Sequence, residues 1–361
     1  MASKSAKAWT YTAGYESLKL STIKPPTFTD FERERNGTPH MLVQIHACAL
    51  NPVDIQMMNL PSWNLPWNAL YGEEKGCVCD FSGTVLSASR ESGFQGGDEI
   101  FGLTLQPYAP NGGALGEIAD ISMSTCVAAQ KPKEWSHEKA SAISLVWLTA
   151  KRCVEAVEQY VEGSKNKRLA VLGGSSAAGI YSIILAKQKG WTVATTSSSR
   201  NKDFCLNDLK VDTHVDYTSQ NVRQAMSEFA PDAVIDCVGG TECIGLPTSW
   251  RYISIVGDKT GRSSMGGPYT YYDYLAPHRA AIQWARWLKG SVGLGESYDV
   301  VVLSMKKEWL DDATETLAEK DIYVDSVYSF DKANEAFERL NTGRARGKVV
   351  VKVAEPHSSN G

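Results

Sequence analysis

This 361-residue sequence has few of the features that would assign a protein to a specialised class. Its 37 Lys and Arg residues are outnumbered by 41 Asp and Glu residues, so no overall basic charge attracts nucleic acid. It lacks the run of about 18 apolar residues that spans a membrane, a signal-peptide apolar core and an Arg-rich presequence. We therefore expect a cytoplasmic protein that binds neither nucleic acid nor membranes.

Paired cysteines, the usual mark of a structural zinc site, are also missing. The eight cysteines are scattered along the chain. Cys77 and Cys79 stand one residue apart, with no second pair to complete a tetrahedral site. We predict reduced thiols and no bound metal.

The distribution of residue types along the sequence predicts two domains of α/β class. The first ~130 residues carry many turn signals and short alternating segments such as Met41–Ile45, which indicates a β-rich domain. A predicted helix, Glu138–Gln159, is then followed by short apolar strands that alternate with helices, the last of them at Val300–Leu303. This alternation is typical of a doubly wound parallel sheet. We predict domains at residues 1–130 and 131–304, with residues 305–361 returning to complete the first.

Residues 168–196 read as one nucleotide-binding unit. Arg168–Leu172 is a predicted strand, Gly173–Gly179 a glycine-containing turn that opens a helix, and Trp191–Thr196 a second strand. A unit of this kind, roughly 30 residues long, holds a pyrophosphate on backbone N–H groups at the helix N-terminus. The middle glycine of the usual fingerprint is replaced by Ala177, so a loop that only packs the helix on the sheet stays possible. The residues predicted to bind are Gly174, Ser175, Ser176, Ala177, Ala178 and Gly179.

The end of the second strand favours NADPH over NADH. Sites that prefer NAD place an acidic residue there to bind the ribose 2′-hydroxyl, whereas this chain has Ser197, Ser198 and Arg200. Arginine and serine pair with a 2′-phosphate, and a carboxylate would repel it. The alternative is a solvated polar turn.

Motifs in a fixed order carry a resemblance that covers nearly the whole chain. It is similar to the medium-chain dehydrogenase/reductases, and more narrowly to their zinc-free quinone oxidoreductase and enoyl reductase branch, which includes zeta-crystallin and the reticulon-interacting oxidoreductase. The resemblance implies a GroES-like catalytic domain, a Rossmann domain and NADPH in the cleft. The motifs, besides the glycine turn, are Cys48–Asp54, Asp80–Gly83, Gly97–Gly102, Leu148–Ala150, Asp216-Tyr217 and Arg344–Lys348.

The resemblance also argues against zinc. Zinc-dependent members have a ligand cysteine where this chain has Asn51, and a Gly-His-Glu segment where it has Val78, Cys79 and Asp80. Asn and Asp are poor replacements in a site that needs soft or imidazole ligands. In the zinc-free branch the matching Asn lies beside the nicotinamide ribose and carboxamide. The alternative for Asn51 is a turn residue before proline.

Four further residues are cofactor candidates. The resemblance places Thr149 near the nicotinamide and Tyr217 near the adenosine phosphate, although an ordinary helix residue and a half-buried strand aromatic are the alternatives. Gly239 and Gly257 follow predicted strands, at the edge where open α/β sheets bind ligands. Simple turn chemistry is the alternative for both glycines.

The proton donor is where the chain departs from its relatives. Enoyl reductases of this branch have a tyrosine where this chain has Trp63, and an indole N–H is not a usable acid. The tract 269–274 is rich in tyrosine, so Tyr269, Tyr271, Tyr272 or Tyr274 could replace the missing donor. Trp147, with Trp63, could wall a flat pocket or be a core aromatic.

We therefore expect a zinc-independent NADPH-dependent reductase of quinones or α,β-unsaturated carbonyls, in secondary metabolism. It would act on an apolar or conjugated small molecule as a monomer or homodimer. Two alternatives remain: a non-redox conversion of a bulky apolar substrate, suggested by Ala177 and Trp63, and a non-catalytic NADPH-binding protein.

Overall fold

A computed structural model describes residues 5–26, 38–59, 74–108, 113–257 and 277–354. These residues belong to two compact units. The first unit contains the described residues up to Leu145 and those from Met305 onward, and the second contains those between Val146 and Ser304. Each unit is considered by itself.

The helices and strands follow one another along the chain as follows. The strands are β1 (Ala6–Thr10), β2 (Lys19–Ile23), β3 (His40–Leu50), β4 (Asp80–Ala88), β5 (Glu99–Thr104), β6 (Ile118–Ser122), β7 (Cys126–Gln130), β8 (Arg168–Leu172), β9 (Thr192–Ser197), β10 (Thr213–Asp216), β11 (Ala233–Asp236), β12 (Arg251–Ser254), β13 (Ser297–Val300), β14 (Val324–Ser329) and β15 (Lys348–Lys352). The helices are α1 (Pro52–Asn59), α2 (His137–Ser141), α3 (Ser144–Glu162), α4 (Ala177–Gln188), α5 (Val222–Phe229), α6 (Pro277–Ser291), α7 (Lys307–Thr316) and α8 (Ala333–Asn341).

The first unit is built on a sheet in the order β14-β15-β3-β4-β5-β7, with β6 also paired to β3. The chain segment after Met305 joins this unit because β15 pairs antiparallel with β3, Val349 opposite Leu50 and Val351 opposite Cys48. This register sets Lys348, the first residue of β15, beside the carboxyl end of β3. Val349, Val350 and Val351 of β15 are all fully buried, so the strand is covered on both faces.

The second unit is a sheet of six parallel strands in the order β10-β9-β8-β11-β12-β13. This is the 3-2-1-4-5-6 order of the dinucleotide-binding Rossmann fold. Strands β8, β9 and β11 are buried along nearly their whole length, as expected when helices cover both faces of a parallel sheet. The parallel sheet predicted from the alternation of helices and strands is confirmed.

Two predicted elements are wrong in detail. The predicted helix Glu138–Gln159 is two helices, because the chain turns after Ser141 and α3 begins afresh at Ser144. The predicted strand Val300–Leu303 instead ends at Val300, and Val302 is 79% exposed. A short apolar run was taken for a buried strand although it lies at the surface.

The predicted domain limits 1–130, 131–304 and 305–361 remain proposals. Helix α2 lies beyond residue 130, and it packs on β3 and β4 of the first unit. All eight cysteines are free thiols. No helix in the described ranges is long and apolar enough to cross a membrane.

Candidate functional site

The glycine turn between β8 and α4 is held against β9. Gly173 takes a φ of 86°, a conformation that glycine adopts without strain. Its N–H donates to Thr196 Oγ1 at 2.9 Å, and the N–H of Gly174 donates to the Thr196 carbonyl at 3.0 Å. The turn therefore has a fixed shape before any ligand binds.

Two glycines of this turn are sterically required. A Cβ at Gly174 would lie 2.1 Å from Thr195 Oγ1, and one at Gly179 would lie 2.2 Å from the Gly173 carbonyl oxygen. Ala177, in contrast, is half-buried at the first position of α4. Ala177 in place of the middle glycine is therefore compatible with the close packing of helix on strand that the fingerprint requires.

The first turn of α4 offers backbone donors. Ser176 caps the helix, since its Oγ accepts the Gly179 N–H at 3.2 Å and donates to the Gly173 carbonyl at 2.7 Å. The N–H groups of Ala177 and Ala178 have no partner in the described part of the chain. Free N–H groups at a helix N-terminus attract a pyrophosphate, so the turn fits a dinucleotide. Ser175 is half-buried in the same turn.

The carboxyl end of β9 presents a polar surface. Ser197 is buried, and its hydroxyl contacts His214 Nε2 at 2.7 Å, so it is engaged inside the unit. Ser198 is half-buried and Arg200 is exposed in a 3₁₀ turn. Tyr217 is 60% exposed directly after β10, and its N–H donates to the Ser197 carbonyl at 3.3 Å. Its exposure does not match the alternative of a half-buried strand aromatic.

Asp236, at the end of β11, was missed by the sequence reasoning. Its Oδ1 accepts the N–H groups of Val238 at 3.0 Å and Gly239 at 2.8 Å, and its Oδ2 accepts the Ser254 hydroxyl at 2.7 Å. Burial raises the pKa of Asp236 to about 6, although these donors oppose the shift. Asp236 organises the loop in which Gly239, with a φ of 77°, turns the chain. An acid at a predicted strand end before two glycines was the available signal.

Of the other residues singled out in the sequence, the structure describes some and leaves others outside the described ranges. Gly257 follows β12 with a φ of 60°, and Thr149 is buried in α3. Trp147 is fully buried with its ring 5.9 Å from that of Tyr181, so it is a core aromatic. Trp63 and the predicted donors Tyr271 and Tyr272 lie outside the described residues, and their roles stay predictions.

Asn51 is the central residue of a buried polar cluster in the first unit. It follows β3 and is 2% exposed. Its Nδ2 donates to Asp80 Oδ2 at 3.0 Å and to the Ala49 carbonyl at 3.3 Å, while its Oδ1 accepts from Lys348 Nζ. The Asn51 backbone N–H donates to Asp54 Oδ2 at 2.7 Å.

Lys348 and Asp80 form a buried ion pair within this cluster. Lys348 Nζ lies 2.9 Å from Asp80 Oδ2, with the two side chains 3% and 0% exposed. Asp80 Oδ1 accepts the Leu145 N–H in the first turn of α3 at 3.0 Å, where a negative charge favours the helix dipole. Burial raises the pKa of Asp54 to about 6, and nearby Lys348 opposes that shift.

These residues do not fit a zinc ion. Cys79 supplies a single thiol to this cluster, beside an amide and a carboxylate, and this is a poor ligand set for a tetrahedral zinc. The oxygens of Asn51 and Asp80 already contact the ammonium of Lys348. Within the described ranges, no three His, Cys, Asp or Glu side chains are grouped to hold a metal.

Comparison with known proteins gives a consistent picture. A family model described as "Zinc-binding dehydrogenase" matches residues 209–351. Trans-enoyl reductase pgmF of Aspergillus terreus is 27% identical, with 97% of this chain and 96% of that protein aligned. The mitochondrial NAD(P)H oxidoreductase RTN4IP1 of Danio rerio is 26% identical over 87% of this chain and 84% of its own. The quinone oxidoreductase structure from Coxiella burnetii superposes with a TM-score of 0.74 at 24% identity, covering 97% of this chain and all of that one.

The chain is an enzyme that is similar, over nearly its whole length, to oxidoreductases of the medium-chain dehydrogenase/reductase family. The predicted resemblance, the two-domain α/β fold and the assignment as an enzyme are confirmed. The relative named an NAD(P)H oxidoreductase indicates a nicotinamide cofactor, and the glycine turn described above fits it.

The buried carboxyl group of Asp236 predicts a pH-dependent stability. Because its folded pKa of about 6 exceeds the ordinary value of 3.8, folding disfavours the charged form. Its contribution is fully present below pH ~4 and lost as pH rises through ~6, a change of up to about 3 kcal/mol. The free energy of unfolding of wild type minus that of Asp236→Asn should fall by this amount between pH 4 and pH 7 in urea titrations.

Asp216→Asn is the control of opposite sign. The Thr218 hydroxyl holds the pKa of Asp216 below its usual value, so the stabilisation by this carboxylate is lost as pH falls. The difference between wild type and Asp216→Asn should therefore grow with pH. A difference between wild type and Asp236→Asn that stays constant with pH would contradict the assignment of a raised pKa to Asp236.

Proposed function

We propose that this oxidoreductase is a zinc-independent, NADPH-dependent reductase of quinones or α,β-unsaturated carbonyl compounds. The observation that carries the proposal is the shaped glycine turn beside a strand end that has Arg200 and no carboxylate. Bound NADPH would supply a hydride, and the protein would supply binding and orientation. We also propose a setting in secondary metabolism, as the resemblance to enoyl reductases of polyketide assembly implies.

Several groups of the second unit would hold the cofactor. The N–H groups of Ala177 and Ala178 would bind the pyrophosphate, while Gly174 and Gly179 allow the close packing that shapes the turn. Arg200 and Ser198 would pair with the 2′-phosphate, and Tyr217 would lie against the adenosine. We leave the hydroxyl of Ser197 out of this set because it contacts His214.

The choice of substrate class rests on relatives and on one missing acid. Relatives carry the names quinone oxidoreductase and trans-enoyl reductase. Trp63 stands where enoyl reductases have a tyrosine, so an enone would need a proton from water or from the tyrosine tract that includes Tyr271 and Tyr272. A reduced quinone protonates from solvent. We therefore favour quinones over enoyl thioesters as substrates.

The cellular location and the oligomeric state of the enzyme are also proposals. We place the enzyme in the cytoplasm as a monomer or homodimer, although a relative is named mitochondrial.

An NADPH-oxidation screen tests the proposed function. Quinones, enones and enoyl thioesters are offered one at a time, and the loss of NADPH absorbance is measured beside product formation. We expect stoichiometric NADPH consumption, fastest with quinones. Product formed without net NADPH oxidation would support the non-redox alternative. NADPH binding without any turnover would support the non-catalytic alternative.

Arg200 should decide between the two nicotinamide cofactors. Arg200→Ala removes a hydrogen bond to a charged phosphate, so it should weaken NADPH binding by roughly 1.5–3 kcal/mol and leave NADH binding nearly unchanged. Fluorescence titration with both cofactors measures this. Lys202→Ala, at an exposed position two residues further on, is the matched control for loss of one positive charge. Equal losses for NADPH and NADH in Arg200→Ala would refute the role of Arg200.

The purified protein should contain no stoichiometric zinc. The cluster of Asn51, Cys79 and Asp80 already contains an ammonium and lacks a suitable ligand set, so chelators should leave both folding and activity unchanged. Metal analysis by plasma mass spectrometry and unfolding with and without chelator check this. One tightly bound zinc per chain would overturn it.

A further inference from the structure

His214 of β10 begins a short chain of hydrogen bonds that runs to the carboxyl end of β9. Its Nε2 lies 2.7 Å from Ser197 Oγ, and Ser197 Oγ lies 3.2 Å from the carbonyl oxygen of Ser198. The carbonyl of Ser197 in turn accepts the N–H of Tyr217 at 3.3 Å. Ser197 therefore connects the two segments that carry the residues proposed for the adenosine end of the cofactor, which are Ser198, Arg200 and Tyr217.

The single proton of the Ser197 hydroxyl cannot serve both of its neighbours in this chain. A carbonyl oxygen only accepts, so the contact with Ser198 requires Ser197 to donate, and His214 Nε2 must then carry a proton and donate to Ser197. If Nε2 carries no proton, it takes the Ser197 proton and the Ser198 carbonyl loses its donor. A neutral imidazole adopts either state, whereas an imidazolium always donates from Nε2. Protonation of His214 therefore fixes one of the two arrangements.

Two charged neighbours act on His214 in opposite directions. The side chain is half-buried, and burial lowers the pKa of the imidazole. The carboxylate of Asp216, on the same strand, opposes this shift, and the ammonium of Lys202 adds to it. His214 is therefore mostly neutral at pH 7 and gains its positive charge in acid solution.

The elements packed on β10 hold other titratable groups. The π-helical turn Phe204–Asp208 brings the Cys205 thiol to 3.6 Å from the same serine hydroxyl, and its Asp208 is exposed. Helix α5 carries Arg223 and Glu228, both hydrogen bonded within the unit. A negative charge from a bound ligand would act on the imidazole together with its two charged neighbours, and it would raise the pKa of His214.

We propose that His214 is a positioning residue for the 2′-phosphate of the cofactor, which acts through Ser197, and that protonation of His214 raises the preference for NADPH over NADH. The imidazolium holds Ser197 as a donor to the Ser198 carbonyl, which orders the backbone that leads to Arg200. NADH has a hydroxyl in place of the phosphate, so it gains little from this order. Ser197 is buried and need not touch the cofactor itself. This inference rests on the proposed function, which supplies NADPH.

The ionisation of His214 can be followed without turnover. In protein with ¹⁵N-labelled histidine, His214→Gln assigns the His214 signals by their disappearance, and the ¹⁵N shifts report which ring nitrogen carries the proton. By linkage, a ligand that binds the imidazolium form more tightly raises the pKa of that imidazole. Saturating NADPH should therefore raise the midpoint of the His214 titration by about 0.3–1 pH unit, the equivalent of one hydrogen bond. NADH should leave the midpoint nearly unchanged. Equal midpoints with both cofactors would overturn the proposal.

Cofactor binding between pH 5 and pH 8 gives the second test. The preference is the Kd of NADH divided by the Kd of NADPH, each from fluorescence titration. The 2′-phosphate itself titrates near pH ~6 in every variant, so variants are compared at the same pH. Relative to His214→Leu, the wild-type preference should rise about 2- to 10-fold from pH 8 to pH 5. His214→Gln keeps an N–H near Nε2 but does not titrate, so its preference relative to His214→Leu should be raised equally at both pH values.

Matched variants separate the hydrogen-bond chain from charge alone and from general loss of structure. Ser197→Ala should remove the pH-dependent part of the preference although His214 is intact. If that part remains, His214 acts by its charge alone and the role of Ser197 is refuted. His278→Gln removes an exposed imidazole from α6 and should change neither the preference nor its dependence on pH. Unchanged NADH binding in all variants would show that the site is folded.

Failure of the proposal and failure of the proposed function give different results. If the wild type binds neither cofactor, the proposed function is wrong and the inference is refuted with it. If NADPH binds and is oxidised by a substrate while the preference is the same in wild type and His214→Leu at every pH, only the role of His214 is refuted.

Discussion

The buried contact between Lys348 and Asp80 is the interaction on which the first unit depends. It joins three parts of the chain: the start of β15, the start of β4 and, through Asp80 Oδ1, the first turn of α3. Removing one member of such a pair leaves an unpaired buried charge, at a cost of about 3–5 kcal/mol. Asn51 satisfies the remaining hydrogen bonds of the pair. Loss of either charge would therefore disturb strand, helix and amide together.

The binding groups proposed for the second unit differ in kind from the polar groups of the first unit. The second unit offers backbone N–H groups at the start of α4, and these are the same whether position 177 is glycine or Ala177. In the first unit the polar groups of the cluster are side chains, so each substitution there changes the chemistry. An ammonium between Asn51 and Asp80 orients an amide, whereas a metal ion in its place would polarise a carbonyl. The proposed reduction consequently relies on substrates that are already activated.

Local sequence patterns predicted the second unit well and the cluster of the first unit poorly. The strand, turn and helix around Gly173 are specified within about 30 residues by periodicity and turn chemistry. Lys348 and Asn51 are 297 positions apart, and neither stands in a pattern that indicates the other. The restart of α3 at Ser144 has the same origin, since Asp80 caps that helix from a distant strand. Periodicity could not show the break.

The cluster also explains why the proposed absence of zinc does not depend on single ligands. Restoring a cysteine at position 51 would leave Lys348 beside Asp80, and the ammonium would compete with a divalent ion for the carboxylate. Removing Lys348 alone would leave Asp54 and Asp80 as two buried carboxyl groups without their cation, and the pKa of Asp54 is already raised by burial. The first change leaves the ammonium in the site, and the second leaves buried carboxyl groups without a cation. The ligands and the counter-charge must therefore change together. A metal-dependent and a metal-free site on this fold would then differ by several substitutions.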